Sequence, residues 1–431
     1  MIQEKSENNT ATSTPLLRRG WGRLLDGRLF ILAWRNIWRN KRRTLITVAS
    51  IFFGVLLSAY MTSMQEGSYD KMVEIVVKFY SGYMQVHHED YWENKSINNV
   101  FDYDQAMVDQ LKANNEVDYV IPRLETFGLA SSEELTRGSA IFGIVPEIEN
   151  QLTGIADKII SGKYLNPNDD GVVIGDGLAK FLKLQLNDTL VIITQGYHGI
   201  SAAGKFPVGG IIKHVSPELN KSIIYMELKT CQYFLGAENK LTSLVVNVAN
   251  NDAMKRTLKK LKSEIQSPFS VMSWEEMQPE IVQQIESDRA GGVIMKAILY
   301  VVIAFGILGT IMMMIAERSR EFGVMISIGM QRTKLATVLF IETLFIGLLG
   351  ILSGIAVSLP LILIQAKNPI PLTGETAKLM EDFGFEPYMF FSTAPEVFWQ
   401  QAISIFIISV LIGSYPVVST LRINAIKALH G

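Results

Sequence analysis

The sequence is poor in the residues that build covalent or metal chemistry. Cys231 is the single cysteine among 431 residues, so no disulfide can form within the chain and cysteine usage says nothing of a redox compartment. Its plain reading is a small buried side chain. Five histidines leave few combinations for a triad or a zinc site, and no Ser/His/Asp arrangement or Cys/His ligand spacing stands out. The chain is therefore expected not to be a catalyst and to bind no metal or cofactor. A formal net charge of -2 removes the basic excess that a nucleic-acid partner needs. A cleavable leader is not expected either, because the first apolar run starts late, is long for an h-region and lacks a small-x-small exit. It reads as a retained anchor.

What is abundant is apolar residues, at 48%, while the 19% that are charged fall mostly outside a few windows. That segregation is the mark of membrane spans. Four windows are long enough: 44–64, 293–316, 335–364 with Pro360 near its far end, and 397–418. Each covers a hydrocarbon core of about 30 Å at ~1.5 Å per residue. Arg28, Arg35, Arg39, Lys41, Arg42 and Arg43 precede the first, and Arg318, Arg320, Arg332 and Lys334 lie between the second and third. The loop 365–396 has only Lys367 and Lys378 against five acidic residues, and Arg422 and Lys427 follow the fourth span. The positive-inside rule then puts both termini, 1–43 and 419–431, and the segment 317–334 in the cytoplasm. The stretch 65–292 is left outside. Ahead of the first span, Phe30, Ala33, Trp34, Ile37 and Trp38 share one helical face opposite Arg28, Arg35, Arg39 and Arg42. That pattern predicts an amphipathic interfacial helix in contact with membrane lipids.

Beyond the first span, Asp70 to Phe79 extends the helical pattern, and the period then shifts toward two. Tyr83–His87, Val172–Ile174, Thr189–Thr194, Val208–Lys213, Lys221–Met226 and Ser243–Val248 read as strands, and Gly177–Leu184 and Asp252–Ile265 as helices. The stretch is expected to be a large α+β domain inserted between the first two of four transmembrane helices. Trp274 to Lys296 reads as one helix feeding the second span.

Three local features test for chemistry. Gly199, Gly204 and Lys205 satisfy G-x-x-x-x-G-K, but Phe206 stands where a Ser or Thr should reach magnesium and Pro207 where a helix should continue. A loop between strands is expected instead. His87 and His88 with Glu89 and Asp90 contain metal-capable atoms, but neighbours on a strand point to opposite faces, so a solvated strand end is expected. Glu342 lies inside the third span, where an ionised carboxylate needs a partner. Lys334, Arg332 or an arginine of the N-terminal helix is the expected one. Gly347, Gly350 and Gly354 of the third span, with Gly306 and Gly309 of the second, invite close helix packing within the bundle or across a dimer. Pro360 should kink or end its span.

The segment Glu317-Arg318-Ser319-Arg320-Glu321-Phe322-Gly323-Val324, then Ser327-Ile328-Gly329-Met330-Gln331-Arg332, resembles the E-R-x-R-E-[IF]-G…[AS]-[LI]-G-x-x-R signature of FtsX-like ABC-transporter permeases. Ala33-Trp34-Arg35-Asn36-Ile37-Trp38-Arg39-Asn40-Lys41-Arg42-Arg43 is similar to the family's A-W-R-N-[LI]-x-R-[NH]-x-R-R, and Tyr415-Pro416…Leu421 to Leu429 to its tail. Asn424 and Asn187-Asp188 depart from the pattern in loops. Tyr83 to Trp92 resembles the lipoprotein-releasing branch, LolC and LolE, and the whole outer region a MacB-like periplasmic core domain.

The resemblance implies a division of labour in an inner membrane. A separate dimeric cytoplasmic ABC ATPase would hold ATP and magnesium, and this chain would be its non-catalytic subunit, paired with a copy of itself or a paralogue. Glu317, Arg318, Arg320, Glu321, Gly323, Gly329, Arg332 and Lys334 would form the ATPase-coupling loop, with Trp34, Arg35, Trp38 and Arg39 on the interfacial helix. ATPase closure would tilt the spans and close the outer domains on cargo, a lipoprotein by the same resemblance, with a periplasmic chaperone as a further partner. The competing reading is a mechanotransmitting scaffold that regulates a periplasmic cell-wall hydrolase.

Overall fold

The structure is a computed structural model that describes residues 27–167, 169–249, 251–382 and 386–421. The stretch before Gly27 and the expected tail cations Arg422 and Lys427 lie outside the described residues. The described residues divide into two compact units: those within 27–66, 289–368 and 391–421 form one, and those within 67–288 and 369–390 the other.

The first unit is helical. An N-terminal helix, Gly27–Arg39, precedes a helix Lys41–Val76. Pro279–Ser327, Arg332–Lys367 and Pro395–Leu421 follow. These last four are long and apolar enough to cross a membrane. Ile51, Val55, Ile303, Ile307, Ile311, Ile346, Ile351 and Ile405 meet in their common core. β-Branched side chains suit this core because lipid offers no hydrophobic drive between helices, so tight van der Waals packing has to hold them.

Several expectations change here. The segment 317–334 is not a loop: helix runs to Ser327 and resumes at Arg332, and only 328–331 turn the chain. The charged residues Glu317 to Glu321 recur at helical spacing, so they extend the span instead of ending it. Of the two outcomes expected at Pro360, an end is excluded, because the third helix continues to Lys367. Proline removes one backbone hydrogen bond, a local loss that a long apolar helix tolerates. Trp274–Lys296 is not one helix. Ser273 and Glu276 form a capping box around the short helix Trp274–Met277, and Pro279 starts a new one. Proline suits the first helical position, where its missing N–H is not needed, and it holds Gln278 out of the helical region.

The second unit is built on a ten-stranded sheet in the order β12-β1-β11-β3-β4-β9-β6-β8-β5, with β7 bridging β3 and β8. Its strands are β1 Met84–His88, β3 Val117–Ser131, β4 Thr136–Ile144, β5 Ile159–Gly162 and β6 Val172–Gly175. β7 Thr189–Gln195, β8 Ser201–Ile212, β9 Ile223–Glu227, β11 Ser243–Val248 and β12 Phe269–Ser273 complete it. A side ladder pairs β2 Phe101–Asp102 with β10 Lys240–Leu241. The central strands β6, β9 and β11 are buried at every residue. A strand covered on both faces shows a continuous apolar run, which is why these three are readable without alternation. Ile141, Ile174, Ile224 and Leu244 face one core, and Phe142, Val173, Ile223 and Tyr225 the other. Sequence inspection missed the long β3–β4 hairpin, whose runs carry Arg123, Glu125 and Arg137. The stretch 365–396 is more than a loop. It holds a helix, Glu375–Asp382, and a strand pair, Ile370–Pro371 with Tyr388–Met389.

Candidate functional site

The largest concentration of paired charge in the helical unit lies where the N-terminal helix meets the second and third spans. Glu342 is 1% exposed. Asn36 Nδ2 donates to its Oε1 at 2.6 Å, and Arg318 Nη1 donates to both carboxylate oxygens at 3.4 and 3.3 Å. Its hydrogen bonds come from Arg318 and Asn36, and of the expected partners Arg39 of the N-terminal helix adds its charge. Arg318 succeeds because it lies on the second span facing Glu342, and the N-terminal helix contributes the amide. The Arg318 guanidinium also stands 5.2 Å over the Phe322 ring. Phe322 is fully buried among Met314, Leu335 and Leu339.

Two further pairs continue the row. Arg39 Nη2 donates to Glu321 Oε2 at 2.5 Å, and Arg43 is ion-paired with Glu317. Arg318 Nε also reaches Glu321, at 3.3 Å. Asn36 and Arg39 are three residues apart on the N-terminal helix and Arg43 follows at the start of the first span, while Glu317 and Arg318 lie four and three residues before Glu321 on the second. They border a cavity of about 250 Å³ floored by Ile37, Ile307, Ile311 and Ile346. Its rim alternates cation and anion. A helix crossing lined this way is held by direction-sensitive contacts, and each exposed pair contributes only about 0–1 kcal/mol. The buried Glu342 is different. Without Arg318 it would be an isolated carboxylate in an apolar span, a cost of several kcal/mol.

The other residues singled out in the sequence distribute as follows. Gly323 is buried, and Gly329 sits at the turn with φ +106. Arg320 and Arg332 are exposed, and Lys334 is half-buried. Trp34 packs edge-on against Phe345 of the third span at 5.6 Å and against Trp38 at 5.9 Å, while Arg35 is exposed. The glycines of the third span serve packing inside the bundle. A Cβ on Gly350 would fall 2.5 Å from Ile51 Cβ, and one on Gly354 2.7 Å from Val55 Cβ. Gly347 faces Ser409 of the fourth span. Gly306 and Gly309 meet nothing within 4 Å.

A second intramembrane node escaped the sequence reading. Gln401 of the fourth span is 1% exposed. Its Oε1 accepts from Ser58 Oγ at 2.5 Å and from Tyr300, and its Nε2 donates to Thr62 at 3.2 Å. The signal was available, because an amide inside an apolar window demands partners.

The α+β unit holds a third polar cluster, also unforeseen. Arg123 is fully buried, donating to Glu149 from Nε at 3.0 Å and from Nη2 at 2.7 Å, and to the Tyr80 carbonyl. Burial disfavours its charge, but Glu149 outweighs that and holds its pKa above the ordinary value. Glu125, on the same strand, is pushed up by burial, with Arg123 opposing. His87 is not at a solvated strand end. It is buried, stacked 6.0 Å from Trp92, with its pKa lowered by burial. Gly199 lies in the turn between β7 and β8, and Gly204 and Lys205 lie within β8. Among the described residues no group of three or more His, Cys, Asp or Glu side chains is placed to hold a metal ion.

Among the described residues, four membrane-length helices with an α+β unit inserted in the chain after the first define a polytopic membrane protein with a large inserted domain. The FtsX-like permease C-terminal domain matches residues 293–425, and the MacB-like periplasmic core domain matches residues 44–264, more than half of the chain. The chain belongs to the FtsX/MacB family of ABC-transporter permeases. An uncharacterised ABC transporter permease of Methanocaldococcus jannaschii is 21% identical over 94% of this chain and 98% of its own length. The lipoprotein-releasing system transmembrane protein LolC of Xylella fastidiosa is 19% identical over 54% of this chain and 58% of its own. Among solved structures, the periplasmic region of MacB from Actinobacillus actinomycetemcomitans is similar at 16% identity and TM-score 0.34, covering 50% of this chain and 98% of that one. The extracellular domain of the ABC-type transporter YknZ from Gram-positive bacteria gives 16% identity and TM-score 0.32, over 44% and 99%.

Proposed function

We propose that this permease converts ATP hydrolysis in a separate cytoplasmic ATPase dimer into movement of its extracytoplasmic α+β unit, in an inner membrane with both termini in the cytoplasm. One observation carries the reading. The second and third spans are joined by a turn of only four residues, 328–331, and Glu321 ties that hairpin to Arg39 of the N-terminal helix while Glu317 ties it to Arg43 at the start of the first span. A push on such a short, braced hairpin shifts two spans and the N-terminal helix together, whereas a long loop would absorb it. Two permeases, copies or paralogues, would pair around the ATPase.

Lipoprotein extraction is the preferred task. The resemblance to LolC supports it, and so does a strip on the outer sheet where Phe127, Leu129 and Ile193 are 67%, 50% and 45% exposed. Leu129 and Ile193 are cross-strand partners, so the strip is continuous. An apolar strip on a water-facing sheet suits an acylated cargo. The mechanotransmitting alternative would use the same movement on a wall hydrolase.

The test is to purify the tagged chain in nanodiscs from its host under gentle cross-linking and identify all co-purifying proteins and acylated peptides by mass spectrometry. An ATPase with acylated proteins is the expected outcome. An ATPase with a wall hydrolase and no acylated cargo would transfer the assignment to the scaffold, and recovery of no ATPase would overturn the coupling reading.

A further inference from the structure

The cavity beside the row of ion pairs is charged at its rim and apolar at its floor, and it lies where the spans meet the interface. Arg43 stands just before the first apolar window and Glu317 just after the second, the depth at which lipid headgroups begin. Trp34 and Trp38 on the N-terminal helix are 42% and 43% exposed, as tryptophans of an interfacial belt are. One helical turn deeper from each rim charge stands an exposed apolar side chain, Ile46 from Arg43 and Met313 from Glu317, 59% and 58% exposed. A molecule that touches both rim and wall is therefore amphipathic. At about 250 Å³ the cavity falls below the roughly 300 Å³ at which pockets for drug-sized ligands begin, so it takes a headgroup and leaves acyl tails outside.

The lining selects the charge of that headgroup. The threonines that line it, Thr44, Thr47, Thr310 and Thr343, each donate to a backbone carbonyl, so donors for a ligand come from the charged rim. Arg39 engages only Nη2, and Glu321 only Oε2, on which Arg39 and Arg318 both converge. Guanidinium donors and a carboxylate oxygen thus remain on one rim. Glu317, Glu321 and Glu342 face Arg43, Arg39 and Arg318, and this cluster carries no net charge. A ligand with net charge would unbalance it, whereas a zwitterion adds one charge of each sign. The cation of that zwitterion has to donate hydrogen bonds. A primary ammonium has three N–H groups for carboxylates. A quaternary ammonium has none and favours an aromatic cage, and no aromatic side chain is among the described residues that line this cavity.

We propose that this cavity binds the headgroup of an aminophospholipid, a phosphate diester joined to a primary ammonium as in phosphatidylethanolamine, with the phosphate on Arg39 and Arg43 and the ammonium on Glu321 and Glu317. Guanidinium groups suit the phosphate because two of their N–H donors reach two oxygens at once. The floor of Ile37, Ile307, Ile311 and Ile346 keeps water from the inner side of the headgroup and so strengthens each charged contact. A bound lipid bridges the N-terminal helix, the first span and the second span through the same four side chains that pair across them. The proposal needs the membrane bundle and not the ATPase-coupling reading.

The test uses the full-length chain, purified in detergent, stripped of lipid and titrated in native mass spectrometry with phosphatidylethanolamine, phosphatidylcholine and phosphatidylglycerol of identical acyl chains. Phosphatidylethanolamine is expected to bind about fivefold more tightly than either of the others, because its ammonium adds a charge-assisted hydrogen bond that they lack. Glu321→Gln and Arg39→Gln are each expected to erase that preference with yield and thermal unfolding close to wild type. Arg42→Gln, a change outside the cavity lining, should retain it. Equal binding of the three lipids would overturn the proposal, as would a preference for phosphatidylglycerol or a preference that survives both cavity variants. A photoreactive phosphatidylethanolamine labelled on its headgroup should cross-link within 36–47 or 307–321, and labelling spread evenly along the spans would reduce the lipid to bulk solvent. Soluble glycerophosphoethanolamine at equal concentration should leave the bound lipid in place. Its displacement of the lipid would overturn the lipid source and assign the cavity to a free zwitterion.

Discussion

Each unit of this permease sets an arginine against a buried glutamate, and the two pairs are built differently. In the α+β unit Arg123 and Glu149 are both 0% exposed and bonded bidentately, with a backbone carbonyl taking a further donor. In the helical unit Arg318 meets Glu342 through one nitrogen at 3.3 to 3.4 Å, and its neighbours Glu321 and Glu317 are about half-exposed. A saturated buried pair cannot exchange partners without exposing a bare charge. A looser row at helix ends can trade partners at little cost, which is what a moving joint needs.

That contrast can be broken by mutation. Replacing Arg123 by Met leaves Glu149 without a counter-charge and should destabilise the α+β unit by about 3–5 kcal/mol. Denaturant unfolding of the full chain in nanodiscs, followed by protease sensitivity of residues 67–288, measures it. A loss below about 1 kcal/mol would remove the distinction between the two pairs. Glu342→Gln should cost less, about 1–3 kcal/mol, because Arg318 keeps Glu321 and the amide can still bond Asn36. If the row is a joint, this variant should lose ATPase coupling before it loses fold, read as substrate-independent ATP turnover in a reconstituted complex.

pH sharpens the comparison within the α+β unit. Burial raises the Glu125 pKa, so its stabilising share is complete below the ordinary carboxylate value of about 4.3 and is lost as pH rises through the raised one. Burial lowers His214 to about 4, so its share is complete above roughly 6.5 and is lost as pH falls toward that value. Glu125→Gln should flatten the alkaline side of a stability profile and His214→Gln the acid side, each in thermal unfolding of the nanodisc sample. The smallest effect is expected from Arg39→Ala. It removes a pair exposed 56% and 51% at its side chains and should change stability by about 1 kcal/mol or less. A larger loss would mean that the outer pairs also bear static load.

The fold was legible where one physical signal dominated. The central strands could be read because burial on both faces leaves an apolar run without alternation, as in Leu244-Val245-Val246. The β3–β4 hairpin could not, because Arg123, Glu125 and Arg137 interrupt its apolar pattern, and burying Arg123 becomes tolerable through Glu149, from a helix 26 residues away, and the Tyr80 carbonyl. The site was legible in part. Glu317 to Arg332 stood out as a charged motif between two spans, but the direction of each side chain did not. Reading 317–334 as a loop let Glu321 point outward, whereas on a helix it shares a face with Glu317 and turns to Arg39.

By itself the sequence determined the four spans and the inserted α+β domain. Those follow from transfer of apolar side chains out of water, a property summed along the chain that needs no knowledge of neighbours. Tertiary structure alone decided that Glu342 is held by Arg318 and Asn36 and that Gly350 and Gly354 receive Ile51 and Val55. These are pairings between residues far apart in the chain. A charge or a glycine acquires its partner from the packing of helices, and composition along one segment carries no record of that geometry.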